Sequence, residues 1–349
     1  MNIENYGFIP NMAQENSMGI PARITGCHKN KFEFVCDNGE GLAHLKTSEY
    51  FMGDEVYPTT GDFVLIDYRT DGESVILKTL PRKTCFKRLD PSSSGRGAQA
   101  VAANFDYVFI MQSLNQNFNP NRLERYLTLA WESGATPVVI LTKADIADNL
   151  QSKINEAAQV CLGADIIAIS SKTGYGLTEL EKYLTAGKTI VFLGSSGVGK
   201  SSLVNALAGK DIMNVSEIRT SDGRGRHTTT HRQLIMLDSG VMIIDTPGMR
   251  ELGMWDAADG LEHSFSDIEQ YFGKCRFRDC QHQSEPGCAV KQAIANGELS
   301  QARWNNYLQL KKESSYSDGK GDFIRQKQQR NIRIQKDIKN LKKMGGIKR

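Results

Sequence analysis

Eight consecutive residues have the types and spacing that bind the phosphates of a nucleotide: Gly194, Ser195, Ser196, Gly197, Val198, Gly199, Lys200 and Ser201. They fit the pattern G-x-x-x-x-G-K-[ST] at every fixed position, between the apolar run 189–194 and a helix-forming run that begins at Ser202. In that context the glycines turn backbone N–H groups inward, and the helix N-terminus adds its positive dipole end. We expect Lys200 to reach the β- and γ-phosphates, the Ser201 hydroxyl to bind Mg²⁺, and Ser202 to complete the binding segment.

A second phosphate-site motif ends the apolar run 241–246. Asp245 and Gly248 match D-x-x-G, in which the carboxylate holds Mg²⁺ through water and the glycine N–H faces the γ-phosphate. The polar stretch 223–230 lies between the two motifs, where a switch segment is expected. We expect Thr229, or else an adjacent threonine, to sense the γ-phosphate and bind Mg²⁺.

Two earlier motifs predict recognition of guanine: Thr142, Lys143 and Asp145 in the first, and Ser170, Ser171 and Lys172 in the second. The Asp145 carboxylate can accept hydrogen bonds from the N1–H and N2–H₂ groups of guanine, an edge that adenine does not offer. The Lys143 stem would pack on the base, and the second motif resembles the loop that meets the guanine carbonyl. Thr142 stands where asparagine is usual. We therefore expect GTP and GDP as ligands rather than ATP.

The residue after D-x-x-G bears on how the attacking water is oriented. Many GTPases have glutamine there, whereas this chain has Met249, which cannot polarise water, and then Arg250. His227, beside the switch threonines, is the nearby side chain with a suitable pKa. We expect His227 to act in catalysis with Lys200 and Thr229. A loop histidine with no chemical role is the alternative. Unaided hydrolysis should be slow, on the order of 10⁻⁴–10⁻² s⁻¹, with acceleration by a partner.

Three thiols and one imidazole fall within a short segment near the C-terminus: Cys275, Cys280, His282 and Cys288. Three thiolates and one histidine form a complete tetrahedral set for zinc, and a full set leaves no open position. We therefore predict a structural zinc site that clamps this segment. The spacing C-x₄-C-x-H-x₅-C differs from paired C-x-x-C knuckles, so free cysteines remain the alternative.

Composition limits the class of protein. A chain of 349 residues with 40% hydrophobic and 24% charged residues is typical of a soluble globular protein of two or three domains. No apolar run approaches the ~18–20 residues of a membrane span, and the N-terminus does not resemble a secretory signal. Seven cysteines, an odd number, do not suggest a disulfide framework. We expect a cytoplasmic protein with no membrane partner, and a monomer.

Charge is unevenly distributed along the chain. Residues 320–349 hold eleven Lys/Arg and two Asp, a local charge of +9, so the net charge of +3 leaves −6 for the other residues. A basic tail on a mildly acidic body suggests a polyanionic partner, bound mainly through phosphates. A solvated charge run is the alternative.

The runs of apolar residues predict several domains, with a small all-β barrel before an α/β domain. The barrel is expected to be of the oligonucleotide-binding (OB) type, although an SH3-like barrel has a similar pattern. We expect strands at 106–113, 137–143, 165–170, 189–194, 233–238 and 241–246, and helices at 121–133, 149–161, 176–186 and 199–209. The expected units are a disordered tail (1–18), an OB-type barrel (19–85), a linker (86–100), an α/β phosphate-loop domain (101–260), a zinc-binding helical domain (261–318) and a basic tail (319–349).

The guanine motifs precede the phosphate loop, which reverses the usual order and indicates a circularly permuted GTPase domain. This order, with the segment Arg-His-Thr-Thr-Thr (226–230), D-x-x-G and the cysteine/histidine cluster behind a small barrel, closely resembles the ribosome-small-subunit-dependent GTPases of the RsgA (YjeQ) family. The resemblance covers about residues 19–320. It implies an OB barrel, a permuted GTPase domain and a zinc-bearing helical domain. It also implies a catalytic histidine in the switch, at His227.

The resemblance further implies a task in late maturation of the small (30S) ribosomal subunit. The GTP form would bind the subunit and its rRNA, and subunit-stimulated hydrolysis would release it. A non-catalytic RNA-binding assembly protein that holds GTP as a structural ligand is the first alternative. A phosphate-loop enzyme that modifies tRNA is the second, although the sequence shows no further catalytic constellation.

Overall fold

The structure is a computed structural model, and it describes residues 1–13, 18–28, 31–46, 56–89, 98–115, 118–213, 232–245 and 257–314. Three sets of residues with predicted roles lie outside these ranges: the switch stretch 223–230 with His227 and Thr229, the segment 246–256 with Gly248, and the basic tail 319–349.

Five strands near the N-terminus close into a barrel: β1 (Ile20–Cys27), β2 (Phe32–Cys36), β3 (Gly39–Leu45), β4 (Phe63–Asp67) and β5 (Ser74–Thr79). β1 pairs antiparallel with β2 and β4, and β3 pairs in parallel with β5. The ring therefore runs β1-β2-β3-β5-β4 around a core that includes Ile24, Phe34 and Ile76. This closed ring confirms the predicted OB-type barrel.

Residues 1–13 are packed on the barrel, which differs from the disordered tail expected from their polar composition. Two 3₁₀ helices, Ile3–Tyr6 and Pro10–Met12, cover one side of the barrel. Ile3 and Phe8 are buried in a small apolar cluster with Phe63 of β4. Burial of two apolar side chains is enough to dock a short polar segment on the barrel. The average composition of the segment does not show these two residues.

Part of the interval expected to be a linker, 86–100, belongs to a two-stranded antiparallel ribbon in the residues that the structure describes. Its strands are β6 (Cys85–Leu89) and β7 (Ala98–Ala103). The Phe86 ring stacks on Phe105, with the two centroids 4.8 Å apart. The ribbon therefore connects the barrel to the next unit through a packed contact.

The α/β unit contributes six strands: β8 (Tyr107–Ser113), β9 (Thr136–Thr142), β10 (Asp165–Ala168), β11 (Thr189–Gly194), β12 (Arg232–Met236) and β13 (Met242–Asp245). Their order is β10-β9-β8-β11-β13-β12, and neighbours are parallel from β10 to β13. Only β12 runs antiparallel to its neighbour β13 among these described strands. The predicted parallel sheet is confirmed, with an antiparallel strand added at one side.

Helices cover this sheet: α1 (Pro120–Glu132), α2 (Leu150–Ala158) and α3 (Lys200–Ala208). The side chains of Asn119 and Asn149 cap the first two, because each accepts a backbone N–H of the first turn. The predicted helix 176–186 is instead a 3₁₀ helix, Leu177–Tyr183. Its buried residues Leu180 and Tyr183 are three positions apart, the spacing that three residues per turn places on one face.

The C-terminal unit contains α4 (Ala258–Ser264), α5 (Ser266–Glu269), α6 (Ala289–Ala295) and the helical residues 301–314. It is docked on α1 through buried polar contacts. Arg303 forms an ion pair with Glu124 of α1, and its guanidinium also contacts Asp267 at 2.6 Å. Asn306 donates a hydrogen bond to the same Glu124 carboxylate. Within the described part of the chain, no helix combines the length and apolar character needed to cross a bilayer.

The barrel and the α/β sheet are joined by strand pairing. β1 pairs antiparallel with β12, so eleven of the described strands form one continuous sheet. Arg23 of β1, only 1% exposed, donates to the Asn104 carbonyl at 2.8 Å and to Thr189 Oγ1 at 2.9 Å. Burial lowers the pKa of Arg23 to about 10, so its guanidinium is still charged at neutral pH. The contact between β1 and the α/β sheet is therefore stabilised by hydrogen bonds that a charged guanidinium donates.

Candidate functional site

The phosphate loop lies where β11 ends and α3 begins. Gly197 and Gly199 have φ values of 71° and 105°, in the left-handed region that glycine tolerates best. A side chain at Gly194 would press on the Met111 carbonyl oxygen, 2.9 Å from its Cβ, so the neighbouring strand β8 requires glycine there. The N-terminus of α3 follows these glycines directly, an arrangement in which backbone N–H groups can face an anion.

Lys200 and Asp245 are brought together from positions 45 residues apart. The Lys200 ammonium forms an ion pair with the Asp245 carboxylate. The Asp245 side chain is 4% exposed and that of Lys200 is 29% exposed, so the carboxylate is buried and the ammonium is partly accessible. An ammonium group that could bind phosphate and a carboxylate that could bind Mg²⁺ through water therefore lie together at the carboxyl ends of the strands.

The first guanine motif is joined directly to the phosphate loop. Thr142 ends β9, is 4% exposed, and donates from Oγ1 to the Val198 carbonyl at 2.6 Å. The Lys143 ammonium donates to the Gly197 carbonyl at 3.0 Å. Lys143 has a φ of 62°, an uncommon conformation outside glycine that redirects the chain after the strand. The hydrogen bond gives Thr142 a structural role that its departure from the usual asparagine does not predict.

Asp145 and the 170–172 loop lie side by side at the same edge. The Ala144 N–H, next to Asp145, donates to the Ile169 carbonyl at 3.0 Å. Ser170 is buried and closes a tight turn, because its N–H donates to the Tyr175 carbonyl at 2.9 Å. Asp145 itself is exposed and forms no ion pair with the described residues. An exposed carboxylate beside a turn can accept the N–H edge of a base.

Most of the predicted nucleotide residues are therefore gathered at one edge of the sheet. These are Thr142, Lys143, Asp145, Ser170, Ser171, Lys172, Gly194, Ser195, Ser196, Gly197, Val198, Gly199, Lys200, Ser201, Ser202 and Asp245. The remaining predicted residues, His227, Thr229 and Gly248, lie outside the described residues.

The four predicted zinc ligands form a compact cluster. One ligand atom from each of Cys275, Cys280, His282 and Cys288 lies within 4.8 Å of every other. The three sulfurs are 3.5, 3.6 and 3.4 Å from His282 Nδ1. A tetrahedral ion with the usual zinc–sulfur and zinc–nitrogen bond lengths would separate sulfur and nitrogen by roughly 3.5 Å. The donor set therefore fits zinc in number, type and spacing.

Aromatic rings support this cluster, which the sequence analysis did not anticipate. The Phe272 ring stacks on the His282 imidazole with centroids 4.7 Å apart. Trp304, from the helical residues 301–314, meets the same imidazole edge-on at 6.0 Å. The histidine ring is thus fixed in orientation by packing as well as by its thiol neighbours.

The fold and the edge cluster define a circularly permuted phosphate-loop GTPase, in which the guanine motifs precede the phosphate loop along the chain. A model of the RsgA GTPase family matches residues 79–255. The chain belongs to this family, and guanine-nucleotide binding and GTP hydrolysis follow from that membership.

Similar proteins match along almost the whole chain. A protein of Listeria innocua described as small ribosomal subunit biogenesis GTPase RsgA 1 is 44% identical over 97% of both chains. RsgA 2 of Listeria monocytogenes is 42% identical over the same shares. Among solved structures, YjeQ from Thermotoga maritima has a TM-score of 0.60 and 28% identity, covering 83% of this chain and 96% of its own. YloQ, described as a circularly permuted GTPase, has a TM-score of 0.57 and 25% identity, covering 89% and 98%.

Proposed function

We propose that this protein hydrolyses GTP on the small ribosomal subunit and serves late maturation of that subunit. The observation that carries the proposal is the convergence of the phosphate loop, Asp245 and the 142–145 motif at one sheet edge. The names of the relatives, small ribosomal subunit biogenesis GTPases, supply the cellular setting. The GTP form would bind the subunit, and hydrolysis would release the protein.

In this proposal different residues of the sheet edge bind different parts of the nucleotide. Asp145 accepts the guanine N–H edge, the Lys143 stem covers the base, and residues 170–172 meet the guanine carbonyl. Lys200 and the backbone of residues 194–199 hold the phosphates, with Ser202 in the same segment. Asp145 follows β9, Asp245 ends β13, and β8 and β11 lie between these two strands, which supports this order.

Magnesium and catalysis form the second part of the proposal. Ser201 and Thr229 would bind Mg²⁺, with Asp245 acting through water, and the ion would neutralise charge that develops on the phosphates. His227 would orient the attacking water, and the Gly248 N–H would contact the γ-phosphate. Met249 gives no group for that task, which supports the assignment to His227.

Zinc is proposed for the cluster of Cys275, Cys280, His282 and Cys288. Four donors with tetrahedral spacing support a closed structural site, and zinc would supply cross-linking of the segment rather than chemistry. Free thiols would be the outcome if purified protein contained no metal.

The proposed partners are the small subunit and its rRNA, bound by the barrel, the C-terminal unit and the basic tail 319–349. The charge of the tail supports phosphate contacts. We propose that the protein acts as a monomer in the cytoplasm, where subunits mature.

The decisive experiment measures GTP turnover with purified small subunits, and with large subunits as the control. We expect slow turnover of the protein alone, on the order of 10⁻⁴–10⁻² s⁻¹, and a marked increase with small subunits only. His227→Ala should bind GTP normally yet lose the stimulated rate. GTP binding without stimulated turnover would favour the non-catalytic assembly protein, and activity on tRNA would favour the tRNA-modifying alternative.

A further inference from the structure

An aromatic side chain is held in solvent on the loop between the first two residues of the cysteine/histidine cluster. Phe277 is 43% exposed, although other aromatic rings of the C-terminal unit are packed together. We name residues 276–279 the tip loop. The Arg276 guanidinium lies 5.6 Å from the Phe277 ring centroid, so cation and ring form one surface.

Backbone hydrogen bonds hold the tip loop in place. The Arg276 N–H donates to the Gly287 carbonyl at 3.0 Å, and the Cys280 N–H donates to the Phe277 carbonyl at 3.4 Å. The Arg276 stem packs on Gly287, where an added Cβ would lie 3.0 Å from the Arg276 Cβ. Phe277 therefore stays exposed on a structured loop, which reduces the entropy lost when a ligand covers the ring.

Positively charged residues flank Phe277 in the sequence. Lys274, Arg276 and Arg278 are all exposed, and Asp279 is the acidic residue of the tip loop. None of these three cations forms a salt bridge with the residues that the structure describes. The Glu285 carboxylate accepts the backbone N–H groups of Gln281, Gln283 and Ser284 and forms no salt bridge with these cations. The cations are thus available for an anionic partner.

We infer that the tip loop binds single-stranded RNA, with one unpaired base stacked on Phe277 and the flanking phosphates on Arg276, Arg278 and Lys274. Bases inside a duplex are already stacked, so an aromatic platform selects unpaired ones. A protein partner is less well matched, because the buried core of a protein interface is mainly apolar and lysine is depleted there, whereas Phe277 is a single exposed ring flanked by three cations in sequence. The inference rests on the proposed function in taking rRNA as the RNA concerned.

The first test compares two variants of equal exposure in the same unit. Leu308 is also 43% exposed but has no π face, so Leu308→Ala is a matched control for Phe277→Ala. Binding to a single-stranded RNA oligonucleotide is measured for both proteins. We expect Phe277→Ala to weaken binding roughly 5- to 100-fold and Leu308→Ala to leave it unchanged, since stacking is sequence-tolerant and worth ~1–3 kcal/mol per base. Metal content and thermal melting should match the wild type in both variants.

Phe277→Trp gives a second readout that a structural role would not change. A base stacked on the new indole should quench its fluorescence, whereas duplex RNA of the same sequence should not. The double variant Arg276→Gln, Arg278→Gln should reduce the slope of log binding constant against log salt concentration by roughly 1.4, about 0.7 for each lost phosphate contact. Lys291→Gln should change this slope by less. Lys291 is an exposed lysine of α6 and serves as the charge control.

Equal binding by Phe277→Ala and Leu308→Ala, or an unquenched Phe277→Trp, would overturn the inference. If Phe277→Ala weakened binding to small subunits without affecting the oligonucleotide, the tip loop would contact a ribosomal protein and the RNA assignment would be wrong. Wild-type protein that is not stimulated by small subunits would instead contradict the proposed function, so the two failures can be told apart.

Discussion

At the scale of single residues, Thr142 links the two halves of the candidate nucleotide site. Its hydroxyl donates to the Val198 carbonyl at 2.6 Å, and it is almost fully buried. The bond crosses from the end of β9 to the phosphate loop, segments that are 56 residues apart in the chain. A short hydroxyl side chain is sufficient because the left-handed Gly199 brings the loop close to the strand end, where an added Cβ would lie 3.9 Å from the Thr142 Oγ1.

Removing this hydroxyl should loosen the phosphate loop. In Thr142→Val the Val198 carbonyl loses its buried donor, which costs about 1–2 kcal/mol. We expect GDP affinity to fall roughly 5- to 30-fold, measured by titration with a fluorescent GDP analogue. Thr142→Ser keeps the donor and should bind within about twofold of the wild type. Equal affinity of the Val and wild-type proteins would show that the bond does not position the loop.

Asp145 should determine which purine is bound. Replacing its carboxylate by an amide in Asp145→Asn puts an N–H₂ donor opposite the guanine N–H groups, while xanthine offers a carbonyl at that place. We expect GTP affinity to fall by a factor of about 100 or more, since unpaired polar groups at a base edge are costly. Competition of GTP, XTP and ATP for the site measures the change. A variant that still preferred GTP would place the base elsewhere.

At the scale of elements, helix α1 joins the sheet to the C-terminal unit. Its Glu124 is 1% exposed and receives Arg303 and Asn306 from the helical residues 301–314. At the other end, the Glu132 carboxylate accepts the Gly260 N–H at 3.0 Å. The two helices α1 and α4 approach so closely at Gly260 that an added Cβ would collide with the Thr128 carbonyl oxygen.

Gly260→Ala is therefore expected to separate α4 from α1. Overpacking a close backbone contact costs ~1–3 kcal/mol and can cost more, so we expect the free energy of unfolding to fall by about 2–3 kcal/mol. Urea denaturation followed by circular dichroism measures it. Glu262→Ala, an exposed position of the same helix, should change stability by no more than about 0.5 kcal/mol. An unchanged free energy of unfolding in Gly260→Ala would mean that the two helices can separate without loss of stability.

Local pattern predicted the strands and the phosphate loop well because apolar runs and glycine spacing are written in consecutive residues. The contacts that position them were not predictable in the same way. Arg23, Glu124 and Arg303 are charged residues in a sequence that contains many, and nothing local marks them as buried. Each becomes buried only because residues distant in the chain supply its partners. The strands β6 and β7 are not marked in the sequence either, because the stretch 91–97 between them is rich in glycine and serine, which is typical of a linker.

At the scale of the whole molecule, the C-terminal unit has two supports, which are in contact where Trp304 of the helical residues 301–314 meets His282. One is the cysteine/histidine cluster, and the other is the set of contacts that Arg303 and Asn306 make with α1. The cluster fixes residues 275–288, whereas the α1 contacts fix the helical residues 301–314 on the GTPase sheet. Loss of one support should not abolish the other.

Removal of metal should therefore act locally. After chelation we expect faster backbone hydrogen exchange in residues 273–290, with exchange in α1 and β11 unchanged. With a zinc-selective chelator and Mg²⁺ kept in excess, GDP affinity should stay within about twofold of the untreated protein, because the nucleotide edge shares no residue with the cluster. Cys288→Ser should reproduce this pattern. Loss of GDP binding on chelation would show that the two sites are coupled.

The pairing of β1 with β12 also bears on how the chain is made. The barrel is synthesised first, and β12 follows roughly 200 residues later, so this pairing has a large contact order. Until then the outer edge of β1 has no partner from β12, and unpaired edges can recruit other chains. Among the residues that the structure describes, Gly26 and Cys27 are the ones that pair with β12. A pairing edge of two residues is a poor template for aggregation. The barrel therefore offers little edge to other chains during the time before β12 is synthesised.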